Sequence, residues 1–172
     1  QLMNCLKYLI IINPNSGKKK SIDMFNSFVV PKLKEKNHSF EYKITKYQHH
    51  AEEIANNAIL NDKDGIIVLG GDGTMHEVVN GLLKRVDNKN IPIGILPAGS
   101  GNSLLYDLGK FNLETTLNNI LSHNIRTMDV LKVTNNDRIY YSINLVGWGM
   151  GTDIGLLAEK MRWIGPARYN IA

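Results

Sequence analysis

The sequence predicts an α/β fold: a three-layer, open, mostly parallel sheet with helices on both faces, followed by the start of a β-rich second domain. In the first two thirds of the chain, short apolar runs alternate with amphipathic helical segments, which is typical of parallel strands joined by helices. Beyond residue 125, two strand-like segments are separated only by Asn135-Asn136-Asp137, which favours an antiparallel hairpin. We expect one domain over residues 1–124 and an incomplete second one over residues 125–172, because a hairpin alone is barely stable.

The individual elements follow from the spacing of apolar residues. Strands are expected at residues 7–13, 39–46, 65–69, 91–96, 127–134 and 138–146. Helices are expected at residues 21–36, 49–60, 74–85, 100–108 and 113–121. Pro31 lies inside the first of these helices and should kink or interrupt it, because proline lacks the N–H that a helix interior uses. In the second strand, Phe40, Tyr42 and Ile44 alternate onto one face.

Composition excludes several classes of protein. The chain of 172 residues is 43% hydrophobic and has a single cysteine, Cys5, so it can form neither an intrachain disulfide nor a cysteine metal cluster. No apolar run approaches the roughly 20 residues that span a bilayer, and no signal peptide is visible. We therefore expect a cytoplasmic protein.

The net charge of +4 is unevenly distributed along the chain. Residues 1–46 hold nine lysines and three acidic residues, a balance of +6, and the remainder balances to −2. A solvated helix face and one basic loop account for most such lysines, but the segment also suits a transient, peripheral contact with an anionic membrane surface. Aromatic residues are not interleaved with the lysines, so no nucleic-acid partner is expected.

Three glycine-rich turns, at residues 13–18, 70–74 and 97–102, each follow a predicted strand. Loops at the carboxyl ends of parallel strands line one crevice, and glycine lets backbone N–H groups approach phosphates closely. The three turns together therefore predict a phosphate-bearing ligand. The chain lacks both the Walker A and the Rossmann glycine spacing, so any nucleotide is bound by another route. Asp72 lies within the second turn. A carboxylate would repel a bound phosphate, so we expect Asp72 to contact a metal ion or to handle a proton instead.

Taken together, these motifs resemble the diacylglycerol-kinase catalytic domain family, and within it sphingosine and ceramide kinases. The resemblance includes the three turns, the segment at residues 76–81, the pair Trp148-Gly149, and a tail with Arg162 and Arg168. It implies two domains with ATP between them, the first binding the nucleotide and the second the lipid. The implied reaction is transfer of the γ-phosphate of ATP to a primary hydroxyl of a sphingoid-type lipid, with Mg²⁺ as cofactor.

The resemblance also implies roles for individual residues. Asp72 corresponds to the catalytic aspartate, which takes or orients the proton of the lipid hydroxyl. The positions that correspond to nucleotide contacts are Asn13, Pro14, Asn15, Thr45, Gly73, Glu77, Gly99, Ser100, Gly101, Arg162 and Arg168. The positions that correspond to lipid contacts are Gly70, Gly71, Asp72, Gly73 and Asp153. Taken alone, Thr45 could equally be an ordinary residue of a strand surface, and Glu77 one of a helix surface. No magnesium ligands are assigned.

The chain departs from sphingosine kinases at Gly155, where they carry an acid that holds the lipid amine and hydroxyl. Without that carboxylate, either Asp153 replaces it or the lipid has no free amine, as in ceramide and diacylglycerol. Two other classes remain open. An NAD kinase shares the glycine-aspartate-glycine turn, although the turn at residues 97–102 and the arginine tail argue against it. A lipid- or partner-binding module could keep the fold without the activity.

Overall fold

The structure, a computed structural model, describes residues 5–98, 112–135 and 138–143. Four parallel strands form the central sheet: β1 (Lys7–Ile12), β2 (Ser39–Ile44), β3 (Gly65–Gly70) and β4 (Ile93–Pro97). Their spatial order is β2-β1-β3-β4, and every pair in the sheet is parallel. Ile12 pairs with both Ile44 and Leu69, so the carboxyl ends of neighbouring strands lie level. The helices are α1 (Ser21–Met24), α2 (Val30–Glu35), α3 (His50–Asn57), α4 (Asp72–Leu83) and α5 (Leu113–Leu121).

Both faces of the sheet are covered by helices, which confirms the predicted three-layer fold. Because successive side chains of a strand point to opposite faces, the apolar runs of β1 and β3 supply two separate cores. On one face, Leu9, Ile11 and Val68 form a buried cluster with side chains of α3 and α4. On the other face, Ile10 and Ile12 are fully buried in a cluster with the segment from α1 to α2 and with α5.

The first predicted helix is interrupted, as expected from Pro31. A π-helical segment, Phe25–Val29, separates α1 from α2. At its end the N–H of Val30 donates to the carbonyl of Phe25, five residues back. Pro31 then lies in the first turn of α2, where a missing N–H costs nothing. The π-helical segment therefore ends just before the proline, and α2 begins there as a new helix.

A second, two-stranded sheet follows the parallel one, as predicted. Strands β5 (Leu131–Asn135) and β6 (Arg138–Ser142) are antiparallel. The first of them begins at residue 131, four residues later than predicted. Val130, Tyr141 and Ile143 pack against the cluster formed with α3 and α4. The hairpin therefore contacts the α/β layer directly. The helix expected at residues 100–108 and the centre of the hairpin turn lie outside the described residues.

Candidate active site

The three glycine-rich turns contact one another at the carboxyl edge of the parallel sheet. The Nδ2 atom of Asn13, in the first turn, donates to the Oγ1 atom of Thr74 in the second at 3.0 Å. The N–H of Ala98, in the third, donates to the carbonyl of Gly70 at 3.2 Å. Gly17 lies against Ala98 so closely that a Cβ atom there would be 2.2 Å from the Ala98 carbonyl oxygen. The predicted convergence is thus observed as far as residue 98.

Asn13 shapes the first turn through every polar group it has. Its Oδ1 atom accepts a bond from the N–H of Asn15 at 3.0 Å, a local turn typical of asparagine. Its carbonyl accepts from the N–H of Ser16 at 3.1 Å and from the Oγ atom of Ser21 at 2.6 Å. Pro14 is half-buried and Asn15 is exposed. A ligand at this turn would therefore meet backbone groups and Asn15 more readily than the Asn13 amide.

The second turn passes directly from β3 into α4. Gly71 is the extended residue before the helix, and Asp72 is the first helical residue. The first turn of a helix carries N–H groups that have no acceptor within the helix, which suits an anion. Asp72 is half-buried, and Gly73 beside it is exposed, with no atom within 4 Å of the position of a Cβ. The turn that carries Asp72 contacts both other turns, through Thr74 and Gly70.

Thr45 and Glu77 extend the same edge toward β2. Thr45 is buried directly after β2, and its N–H donates to the carbonyl of Ile12 at 2.8 Å. The carboxylate of Glu77 accepts from the N–H of His49 at 3.0 Å and of Ala51 at 3.2 Å, at the start of α3. Glu77, predicted to contact the nucleotide, thus fixes the loop that follows Thr45 to α4.

Two residues of this arrangement were not predicted as site residues. Thr74 is buried and accepts the bond from Asn13, and Ser21 is buried and donates to the Asn13 carbonyl. The available signal was a short hydroxyl side chain beside a glycine turn, a type that commonly bonds to nearby backbone. The predicted positions that lie outside the described residues are Gly99, Ser100, Gly101, Asp153, Arg162 and Arg168, together with Gly155.

A cavity of about 260 Å³ lies at the opposite, amino-terminal edge of the sheet. It is lined mainly by apolar side chains, among them Ile66, Ile93 and Ile120. Tyr8 also lines it, and burial, assisted by the charge of Asp64, raises the pKa of its hydroxyl to about 12. Neither its position nor its lining suits a phosphate, so the cavity is separate from the candidate site.

The described part of the chain contains no cluster of three or more metal-ligating side chains. Magnesium, however, is commonly held by one or two carboxylates together with substrate phosphates and water. Asp72, beside turns suited to phosphates, fits a site of that kind. Within the same residues, no helix is long and apolar enough to cross a membrane.

Comparison with known proteins identifies the family of the chain. Residues 7–133, from β1 into β5, match the sequence profile of the diacylglycerol kinase catalytic domain. The chain belongs to this family. Sphingosine kinase 1 of Arabidopsis thaliana is 39% identical over 96% of the chain, and human sphingosine kinase 1 is 34% identical over the same share. The chain spans 36% and 47% of the length of these two relatives.

The family fold is also found among solved structures. A diacylglycerol kinase from Bacillus anthracis str. Sterne superposes with a TM-score of 0.67 at 24% identity. The superposition covers 92% of this chain and 54% of the bacterial one. At that identity the likeness concerns the fold alone. It supports the α/β fold of this chain as one shared with the bacterial protein.

Proposed function

We propose that the protein containing this chain is an ATP-dependent lipid kinase that phosphorylates a primary hydroxyl of a sphingoid-type lipid. One observation carries the proposal: in a diacylglycerol kinase catalytic domain, the turn with Asp72 contacts the other two glycine turns at one sheet edge. The relatives named above are sphingosine kinases, which supports a sphingoid lipid.

In the proposed reaction, the oxygen of the lipid hydroxyl attacks the γ-phosphorus of ATP. The bond between that phosphorus and the β,γ-bridging oxygen breaks, and ADP leaves with the electron pair. The hydroxyl proton passes to the carboxylate of Asp72, or is oriented by it until transfer is advanced. Positioning and charge neutralisation supply most of the acceleration in such transfers, so the three turns contribute more than any single side chain.

The nucleotide is assigned to the first and third turns and to the β2 edge. Backbone groups of Asn13, Pro14 and Asn15 would hold it on one side, and Gly99, Ser100 and Gly101 on the other, with Thr45 and Gly73 between them. Glu77 would act at the same edge, and the contacts of its carboxylate favour a role in holding the loop after Thr45. Arg162 and Arg168 are proposed to meet the phosphates, because guanidinium groups match phosphate oxygens in pairs.

Asp72 would help to hold a magnesium ion that binds together with the phosphates of ATP. When bound, it would neutralise charge that develops on the transferred group. Carboxylate oxygen is the ligand type that magnesium prefers, and Asp72 is an acid within the turn that contacts the other two.

The lipid is assigned to the second turn, Gly70 to Gly73, and to Asp153 in the proposed second domain, residues 125–172. The sphingosine kinases among the relatives favour a sphingoid base as substrate. Gly155 favours ceramide or diacylglycerol, which have no free amine to pair with an acid. We place the protein in the cytoplasm with peripheral, transient membrane contact, and we assign it no nucleic-acid partner.

The decisive experiment gives the full-length protein labelled ATP and separate vesicles with sphingosine, ceramide or diacylglycerol, and NAD as a fourth acceptor. We expect phosphorylated sphingosine as the main product. Preference for ceramide or diacylglycerol would revise the lipid class only. Phosphate transfer to NAD alone, or binding of lipid without any transfer, would overturn the lipid kinase proposal.

The role of Asp72 is tested by Asp72→Asn, which keeps the shape of the side chain but removes its basicity. We expect turnover to fall by about a hundredfold or more, the scale of general base catalysis. The matched control is Glu114→Gln, an exposed acid in the first turn of α5. Lipid phosphorylation by Asp72→Asn at the rate of the control would remove Asp72 from the reaction.

A further inference from the structure

Asn80 lies near the carboxyl end of α4 and is almost completely buried, with 2% of its surface exposed. Its Oδ1 atom accepts from the N–H of Tyr141 at 2.9 Å, and its Nδ2 atom donates to the carbonyl of the same residue at 2.7 Å. Nδ2 also donates to the carbonyl of His76, one turn back, at 3.0 Å. The amide thus pairs with both the N–H and the C=O of one residue of β6, as a residue of a neighbouring antiparallel strand would.

This pairing is the polar part of a larger contact between α4 and the hairpin. Tyr141 and Ile143 pack against the cluster that α4 shares with α3. The Nζ atom of Lys84, one turn after Asn80, lies 5.6 Å from the centre of the Tyr140 ring. Burying an amide without hydrogen bonds destabilises the folded state. Separation of Asn80 from Tyr141 would leave polar groups of both residues without partners, so the pairing favours the position in which the hairpin contacts α4.

The helix that carries Asn80 begins at Asp72, eight residues earlier, or about 12 Å along the helix axis. The same rigid helix therefore connects the proposed catalytic carboxylate to the hairpin that opens the proposed lipid-binding domain. We propose that Asn80 is a positioning residue that fixes the β5–β6 hairpin to α4 and thereby sets where the lipid lies relative to Asp72. Only the part that concerns the lipid rests on the proposed function, whereas the contact between the hairpin and α4 does not.

The test compares Asn80→Leu, of similar size but without hydrogen bonds, with Asn56→Leu in the full-length protein. The control removes a similar amide bond to α4, from Asn56 Nδ2 to the Gly81 carbonyl at 3.1 Å, and that bond does not involve the hairpin. We expect the Tyr141 N–H of Asn80→Leu to exchange with deuterium about tenfold faster or more, since two buried bonds are lost. The N–H of Val79, within α4, should exchange with deuterium at the same rate in Asn80→Leu as in the control. If Asn80→Leu does not fold, Asn80→Ala replaces it.

The kinetic prediction is a split between the two substrates. We expect kcat/KM for the lipid to fall about tenfold beyond the control, while the affinity for Mg-ATP measured by direct binding stays within about twofold. Equal deuterium exchange rates of the Tyr141 N–H in both variants would show that Asn80 does not fix the hairpin to α4. That result would stand whatever the protein phosphorylates. Faster exchange with lipid kinetics equal to the control would overturn the positioning role. Absence of lipid phosphorylation by the wild type would overturn the proposed function. The exchange rates would still show whether Asn80 fixes the hairpin to α4.

Discussion

Two glycines in the candidate site are needed for different reasons. Gly17 has a φ of +61°, in the left-handed region, and has no room for a Cβ beside the carbonyl oxygen of Ala98. Gly73 lies in the first turn of α4, is exposed, and has open space where its Cβ would be. The first glycine thus permits two turns to touch, and the second leaves the helix N-terminus open to a ligand.

This difference gives a paired prediction. Gly17→Ala should lower the free energy of unfolding by about 1–2 kcal/mol from the left-handed backbone alone, and further because of the clash. Gly73→Ala should leave it unchanged or raise it by up to about 1 kcal/mol, because alanine favours helices. Urea unfolding measures both. In the same samples, Gly73→Ala should lose most of the thermal shift given by Mg-ATP. Equal destabilisation by the two variants would contradict this interpretation of the turns.

The sequence predicted the residue types of the site better than their contacts. Asp72 and the three turns could be found because glycines next to apolar strands are local signals. The hydrogen bonds of Glu77 to the N–H groups of His49 and Ala51 could not be predicted from the sequence, because they depend on how α3 and α4 pack side by side. The same applies to Asn80, whose partner Tyr141 is 61 residues away. Local spacing carries no information about such tertiary pairings.

At the scale of elements, helix α3 is held at both of its ends by side chains that follow β3 in the sequence. Glu77 binds N–H groups at its start, and Arg85 binds carbonyl groups at its end. The Nη1 atom of Arg85 donates to the carbonyls of Ala55, Asn56 and Ala58 at 2.7–2.9 Å. An eight-residue helix is too short to be stable alone, so these end contacts fix it against α4.

Arg85→Lys should therefore destabilise the fold although it keeps the charge. The Nε and Nη2 atoms of Arg85 also donate to the carboxylate of Asp87, at 2.8 and 2.5 Å. A single ammonium group cannot bond the three part-buried carbonyls and this carboxylate at the same time. We expect the free energy of unfolding to fall by about 1.5–3 kcal/mol, the range for hydrogen bonds to a charged group. Arg126→Lys, at an exposed position, should change it little. Similar losses in both variants would show that the contacts of Arg85 add nothing.

The entry into β2 is predicted to be sensitive to pH through His38. Its Nδ1 atom accepts from the N–H of Leu6 at 3.1 Å, which requires that nitrogen to be unprotonated. Burial, and secondarily the charge of Lys36, lowers the pKa of His38, while Asp64 opposes the shift. The unfolded chain therefore binds this proton more readily, so the stabilisation is present above a pH of about 6.5 and is lost as the pH falls through the lower folded pKa.

Thermal unfolding between pH 8 and pH 5 measures this effect. The melting temperature of the wild type should fall on acidification more than that of His38→Gln, which cannot gain the proton. His123→Gln, at an exposed position after α5, serves as the control and should follow the wild type. Parallel curves for the wild type and His38→Gln would rule out His38 as the source of the pH dependence.

The element boundaries differ from prediction where the chain turns. Helix α4 begins at Asp72, two residues earlier than expected, because only the extended Gly71 separates it from β3. Strands β1, β3 and β4 were placed within two residues because buried parallel strands are uninterrupted apolar runs. Strand β2 ends at Ile44 and is mostly exposed, so its length could not be set by burial.

At the scale of the whole molecule, the lysines of residues 1–46 are the basis for a prediction about membrane contact. We expect the full-length protein to sediment with vesicles that contain anionic lipid, and this binding to weaken as salt is added, because screening shortens electrostatic attraction. Replacing the exposed Lys34 and Lys43 with glutamine should weaken it further. Replacing Lys89 and Lys132, outside this segment, should not. Binding that is insensitive to salt would contradict an electrostatic contact.

The central position of β1 also constrains how the chain folds during synthesis. This strand has five of its six residues buried and pairs on one side with β2 and on the other with β3. Of the four parallel strands it is made first, yet its second neighbour is complete only at residue 70. Until then a nascent chain presents an apolar strand with one open edge, the kind of segment that chaperones bind and that aggregates when left free. A chain that stops between residues 45 and 65 should consequently be insoluble, whereas one that continues through α5, which completes the second core, should not.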